Sequence, residues 1–202
     1  IRIFPGMTDT VLFDEINTEC GRVIGRATLN APRSLNALGL EMIQALDARV
    51  AAWQARDEVV AIWLEGAGGK AFSAGGDVVA LYRATVKHAG HPGNPEAEQY
   101  FAEEYRLDYR LHTSRTPVIC WADGRVRGAG LGLMAGASHR IVTERSQLSV
   151  SEASIGLIPT AGASWYLGQM PGHTGLFAAL TGVELGPADA LYSGLADYCW
   201  DS

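Results

Sequence analysis

Apolar residues cluster in residues 11–16 and again in 21–29, with Asn17-Thr18-Glu19 between the two runs. The runs read as two strands and the turn between them as that of a hairpin. From Leu40 a period appears. Leu40, Ile43, Leu46, Val50 and Trp53 recur three or four apart, so the segment is a helix with one apolar face. Asp57-Glu58 ends it, and the apolar run 59–64 reads as a strand. A second helix begins at Val78, and residues 87–95, with prolines, glycines and no apolar period, form a loop. Residues 96–112 are again helical, with Tyr100, Glu104, Leu107 and Leu111 on one face. A glutamate in that stripe is either functional or at the rim of the core, and the pattern alone favours the rim. Strands follow at 117–122, His139–Thr143 and 147–150, and a helix of small residues starts after Gly130. A helix carrying Trp165 and Leu167 and short helices at 175–182 and 187–192 precede Cys199-Trp200-Asp201-Ser202, which reads as a strand. Strands alternating with helices predict the α/β class.

Two glycine-rich stretches interrupt this alternation. One is Lys70-Ala71-Phe72-Ser73-Ala74-Gly75-Gly76-Asp77; the other runs from Asp123-Gly124 to Gly128-Ala129-Gly130-Leu131-Gly132. Each follows an apolar strand and leads into a helix. Such turns expose backbone N–H groups at a helix start, where they attract negative charge. Two of them aimed at one point can hold an oxyanion, with Glu152 as the carboxylate beside it. Either stretch alone is as readily an ordinary glycine-rich connection.

Composition narrows the class. The 202 residues are 48% hydrophobic and 19% charged, as in one large globular domain. A net charge of −6 with no Lys/Arg block argues against nucleic acid as the main partner. No apolar run approaches the length of a membrane span. Cys20, Cys120 and Cys199 are odd in number and widely spaced, which points to a reducing cytoplasmic or organelle-matrix location rather than a disulfide framework. The first residue is Ile1, which leaves a processed N-terminus open. The five histidines lack metal-ligand spacing, so no metal is expected. Ser73 and Ser164 lack a recognisable histidine partner for nucleophilic catalysis.

Taken with Arg33-Ser34-Leu35-Asn36-Ala37-Leu38, Ser151-Glu152, Ile155-Gly156-Leu157-Ile158-Pro159 and Ala179-Leu180-Thr181-Gly182, the two stretches make the chain resemble the crotonase (enoyl-CoA hydratase/isomerase) superfamily. The order holds along nearly the whole chain. Ala71–Val78, the insertion leading to Glu103-Glu104-Tyr105, and Gly132, where the family's hydratases carry a glutamate, bring it closest to the 3-hydroxyisobutyryl-CoA hydrolase branch. The resemblance implies a crotonase-like spiral of ββα units over residues 1–202, lacking a C-terminal helical region. It implies an acyl-CoA substrate with no cofactor beyond the coenzyme A it carries, and a homo-oligomer, trimeric or other. For a eukaryotic chain, it sets the mitochondrial matrix beside the cytoplasm.

The resemblance also assigns roles. The N–H groups of Gly76 and Ala129 form the oxyanion hole, Glu152 is the acid/base or nucleophilic carboxylate, and Glu104 contacts substrate. Arg33 lies near the CoA phosphates, and the backbone of Ala71, Ala74 and Gly75 lies near adenine and pantetheine. Where the hydrolase branch has an aspartate eight residues beyond the glutamate, this chain has Thr160. A hydroxyl positions water but is no base near neutral pH. Ala129 replaces the usual glycine. Arg125 and Arg127 stand where apolar residues are common, either as surface charges or as partners of Glu152. Hydrolysis of a short 3-hydroxyacyl-CoA is the leading expectation. Enoyl-CoA hydration or isomerisation is the alternative, and a CoA-binding protein without catalysis is the third.

Overall fold

The expected hairpin is present in a computed structural model that describes residues 9–202; residues 1–8 of the expected domain lie outside the described residues. Strand β1 (Val11–Asn17) pairs antiparallel with β2 (Val23–Leu29), Val11 facing Leu29. Helix α1 (Leu40–Gln54) returns the chain to β3 (Val59–Gly66), which lies parallel to β2. The helix buries Met42, Ile43, Leu46, Val50 and Trp53, the stripe expected from its period. Trp53 lies so close to Gly25 that any Cβ there would sit 2.5 Å from the indole, so strand and helix meet through a residue without a side chain.

After β3 the chain repeats one pattern. β3 is followed by β4 (Ala71–Ser73), then α2 (Val78–Lys87) and α3 (Pro95–His112). Next come β5 (Val118–Ala122), β6 (Arg125–Arg127) and α4 (Ala129–Gly136). β7 (His139–Thr143) and β8 (Gln147–Ser149) precede α5 (Ala163–Gly168), α6 (Thr174–Thr181), α7 (Pro187–Ser193) and β9 (Tyr198–Trp200). The first strand of each pair joins a six-stranded sheet in the order β1-β2-β3-β5-β7-β9, and the second joins a three-stranded sheet, β4-β6-β8. Pairing beyond the hairpin is parallel, so each ββα unit advances the chain along both sheets. This is the crotonase-like spiral.

The short strands β4 and β6 lie within the glycine-rich stretches, where periodicity predicted only turns. Three residues are too few to display a period. Among the described residues, no helix is long and apolar enough to cross a membrane.

Candidate active site

In the first glycine-rich turn, the backbone donors are almost all committed. Ala74 N–H donates to Leu35 O at 2.8 Å, Gly75 N–H to Ser73 Oγ at 3.2 Å and Asp77 N–H to Leu38 O at 3.0 Å. Asp77 caps α2 by accepting from Ala80 N–H at 3.0 Å. The Gly76 N–H is left over and has no partner among the described residues. In the second turn, Gly128 at φ 48° and ψ −122° reverses the chain. Gly128 O accepts from Leu131 and Gly132 at 2.8 and 3.1 Å, while the Ala129 N–H at the start of α4 has no partner. Ala129 thus keeps the donor the site needs despite its methyl group.

The turns are in contact. Gly75 has φ 101°, and a Cβ there would lie 2.9 Å from Arg127 O and 3.6 Å from Ala129 N. A Cβ on Gly128 would lie 3.7 Å from Glu152 Oε1, so the carboxylate sits over the second turn. Gly76, Ala129, Glu152, Glu104 and Thr160 line one cavity of about 280 Å³ together with Ala74 and Gly75. Ala74 and Gly76 also line a wider groove of about 580 Å³ running past Ser34, Ala37 and Leu40.

Two buried carboxyls face this cavity. Glu152 opens a 3₁₀ turn, Glu152–Ile155, and is 5% exposed. Its Oε1 accepts from Thr160 N–H at a long 3.5 Å, and its Oε2 is buried without a partner. Burial raises its pKa, partly opposed by its own backbone N–H and that of Thr160. Glu104 is 3% exposed, which corrects the rim position expected from its helical stripe. The stripe packs over a cavity rather than facing solvent. Burial and the field of Glu152 push its pKa up to about 7, against a lowering contribution from the Tyr100 hydroxyl. Its Oε2 also has no partner.

The other anticipated residues divide. Thr160 lines the cavity beside Glu152 through both its backbone and its position in the loop. Arg33 is exposed on a 3₁₀ turn, Pro32–Ser34, and lines neither cavity. Ala71 is buried in β4, its carbonyl accepting from Asn36 Nδ2 at 2.9 Å, and it lines neither cavity either. Arg125 is exposed. Arg127 lines the cavity, but its Nη2 pairs with Glu184 at 2.9 Å, and the upward shift of Glu152 is opposite to what a partner arginine gives. Its Nε is buried and unpartnered.

Sequence reasoning missed the supports of the first turn. Asn36 is fully buried at φ 56°; it accepts from Ala31 N–H and donates to the carbonyls of Ala67 and Ala71. Ser73 Oγ bridges Asn36 O and Gly75 N–H, which is a structural duty and not a nucleophilic one. Tyr100 donates to Leu38 O at 3.0 Å and lies against Gly76. Only the unusual asparagine inside the Arg33–Leu38 motif offered a signal in advance.

Residues 24–202 match the enoyl-CoA hydratase/isomerase family. The chain belongs to that family. It is 38% identical over 178 residues to the mitochondrial 3-hydroxyisobutyryl-CoA hydrolase of Gallus gallus, covering 88% of this chain and 45% of the relative. Among solved structures, a carnitinyl-CoA dehydratase from Mycobacterium thermoresistibile superposes with a TM-score of 0.87 at 38% identity, covering 96% of this chain and 54% of that one. An enoyl-CoA hydratase from Rhodobacter sphaeroides 2.4.1 gives 0.87 at 35% identity, covering 95% and 54%. The chain therefore spans about half the length of these relatives.

Proposed function

We propose that this chain carries the site of an acyl-CoA thioester hydrolase acting on a short 3-hydroxyacyl-CoA. The observation that carries this reading is the pair of uncommitted N–H groups, Gly76 and Ala129, opening into the cavity that holds Glu152 and Glu104. The thioester oxygen is bound between those donors, each contributing ~3–4 kcal/mol as charge builds on it. Glu152 takes a proton from water attacking the carbonyl carbon. The carbon–sulfur bond breaks, and that proton goes to the departing thiolate. Glu104, its pKa pushed up to about 7 chiefly by burial, donates to or accepts from the 3-hydroxyl. Coenzyme A arrives as part of the substrate, the groove past Ser34 and Ala37 offering it a path. The name of the Gallus gallus relative supports the same acyl group.

Thiol release from 3-hydroxyisobutyryl-CoA, followed with a disulfide dye, tests the proposal. Release no faster than by Glu152→Gln would sink it. The second reading, movement or hydration of a double bond, draws on Thr160, which leaves Glu152 as the cavity's acid/base without the hydrolase branch's aspartate. It predicts change in the enoyl absorbance without free thiol. Tight CoA binding with every turnover assay blank would instead favour a non-catalytic binding protein.

A further inference from the structure

The two donors that open into the catalytic cavity are held in different ways. Each N–H shares a rigid trans peptide plane with the carbonyl of the residue before it, and the two groups point in opposite directions. Whatever holds that carbonyl therefore aims the N–H. For Ala129 the carbonyl is Gly128 O, which accepts from Leu131 and Gly132 N–H at 2.8 and 3.1 Å. Both donors belong to the first turn of α4, so the helix itself fixes the direction.

No helix does this for Gly76. Its carbonyl is Gly75 O, which accepts from Leu38 N–H at 2.8 Å. Leu38 follows Leu35 and Asn36, at φ 54° and 56°, and pairs with Gly76 only as an isolated bridge. Outside helix and ladder, a residue is held by its own hydrogen bonds. Leu38 O accepts two, from Asp77 N–H at 3.0 Å and from the Tyr100 hydroxyl at 3.0 Å. The first donor belongs to the same turn and moves with it. The second comes from α3, a helix of 18 residues, and ties Leu38 to a rigid element outside the turn.

Tyr100 suits this duty. Its side chain is buried, and its ring packs edge-on against Phe101 with centroids 5.4 Å apart. Burial pushes the pKa of its hydroxyl up, so it remains a donor throughout the neutral range. The hydroxyl also stands beside the donor it serves, since a Cβ on Gly76 would lie 2.5 Å from it. Glu104 follows one helical turn later, so α3 sets this anchor and the acid in one wall of the cavity. A phenylalanine would fill the same space. What the hydroxyl adds is the bond to Leu38 O.

We infer that Tyr100 is a positioning residue of the oxyanion hole, aiming the Gly76 N–H at the thioester oxygen through Leu38. The inference rests on the acyl-CoA reading above. The hydroxyl is committed to Leu38 O, so it acts through that residue and not on the substrate. A hydrogen bond weakens steeply as its donor turns away, so loss of the hydroxyl weakens one of the two donors without removing it. The loss falls most heavily on the transition state, where the oxygen carries the most charge.

Cinnamoyl-CoA tests this, because its conjugated thioester absorbs further to the red as the carbonyl is polarised. Bound to the parent chain, it should shift red. In Tyr100→Phe the shift at saturation should fall by about half or more, with Kd within about threefold of the parent. With 3-hydroxyisobutyryl-CoA, kcat should drop about ten- to a hundredfold while KM stays within about threefold. A tyrosine that serves only the fold would lower Tm and leave the shift and the kcat of the folded protein unchanged, and that result would overturn the inference. Replacing Tyr100 by a ring-fluorinated tyrosine keeps the shape and strengthens the donor, so the shift should move further to the red. No movement there would overturn the inference even were Tyr100→Phe unable to fold. The shift is read without hydrolysis, so a parent that shifts but releases no thiol loses the hydrolase reading and keeps this one. A parent that binds the probe with no red shift has no oxyanion hole, and both readings fail.

Discussion

Gly132 packs directly against Ala161: a Cβ on the glycine would lie 2.4 Å from the Ala161 Cβ and 2.7 Å from its carbonyl oxygen. By the resemblance, position 132 is the one at which hydratases of the family carry a glutamate. In this chain that place is filled by the loop after Thr160, so the second glutamate is excluded by packing and not merely absent. Gly132→Glu is expected to destabilise by about 1–3 kcal/mol, as overpacking does. It should gain no hydration of an enoyl-CoA. A variant with unchanged Tm and new loss of enoyl absorbance would contradict this.

Glu152 bears a different expectation. Among the described residues its Oε2 is buried with no partner and no ion pair holds the side chain. Glu152→Gln removes the base while keeping shape, so the fold should stand. Thiol release is expected to fall by about 10²–10⁴, with the melting temperature equal to or above that of the parent. Retained turnover would move the base elsewhere.

Glu104 makes stability depend on pH. Its carboxyl rises from an ordinary 4.5 to about 7 on folding. The folded state therefore favours the protonated form. Below about pH 4.5 both states are protonated and burial carries no ionisation cost. As pH climbs from there through 7, stability is lost, by on the order of 3 kcal/mol at most. Glu104→Gln has no such group. Its melting temperature should match the parent near pH 4.5 and exceed it at pH 8. Parallel melting curves across that range would refute the assignment.

Much of this was legible because the chain states it locally. The helix α1 buries its stripe as the spacing required, and the two glycine-rich turns do converge on Glu152. What stayed hidden depends on contacts between distant segments. Glu104 looked like a rim residue because a helical stripe does not say whether its other side meets a cavity. Ala71 supports the first turn from within β4 and lines neither cavity, a distinction that motif membership does not carry. Arg127 read either as a surface charge or as a partner of Glu152, and its pairing with Glu184, far along the chain, is visible only in the fold.

The last expectation concerns Gly76 and Tyr100. Gly76 carries no left-handed φ, so its backbone tolerates a side chain. Its glycine is instead demanded by space: a Cβ there would lie 2.5 Å from the Tyr100 hydroxyl oxygen and 3.4 Å from the ring carbon bearing it. That hydroxyl is anchored on Leu38 O at 3.0 Å, so it cannot simply swing away. Gly76→Ala should cost about 1–3 kcal/mol by forcing the ring aside. Tyr100→Phe should cost about 1 kcal/mol by leaving Leu38 O without its donor. In the double variant the collision partner is gone, and the alanine meets only the ring carbon at a distance small shifts absorb. The two losses should then sum to less than their parts by about 1 kcal/mol or more, a coupling that denaturant melts of the four proteins resolve. Strict additivity would mean that Tyr100 does not set the room above the Gly76 N–H.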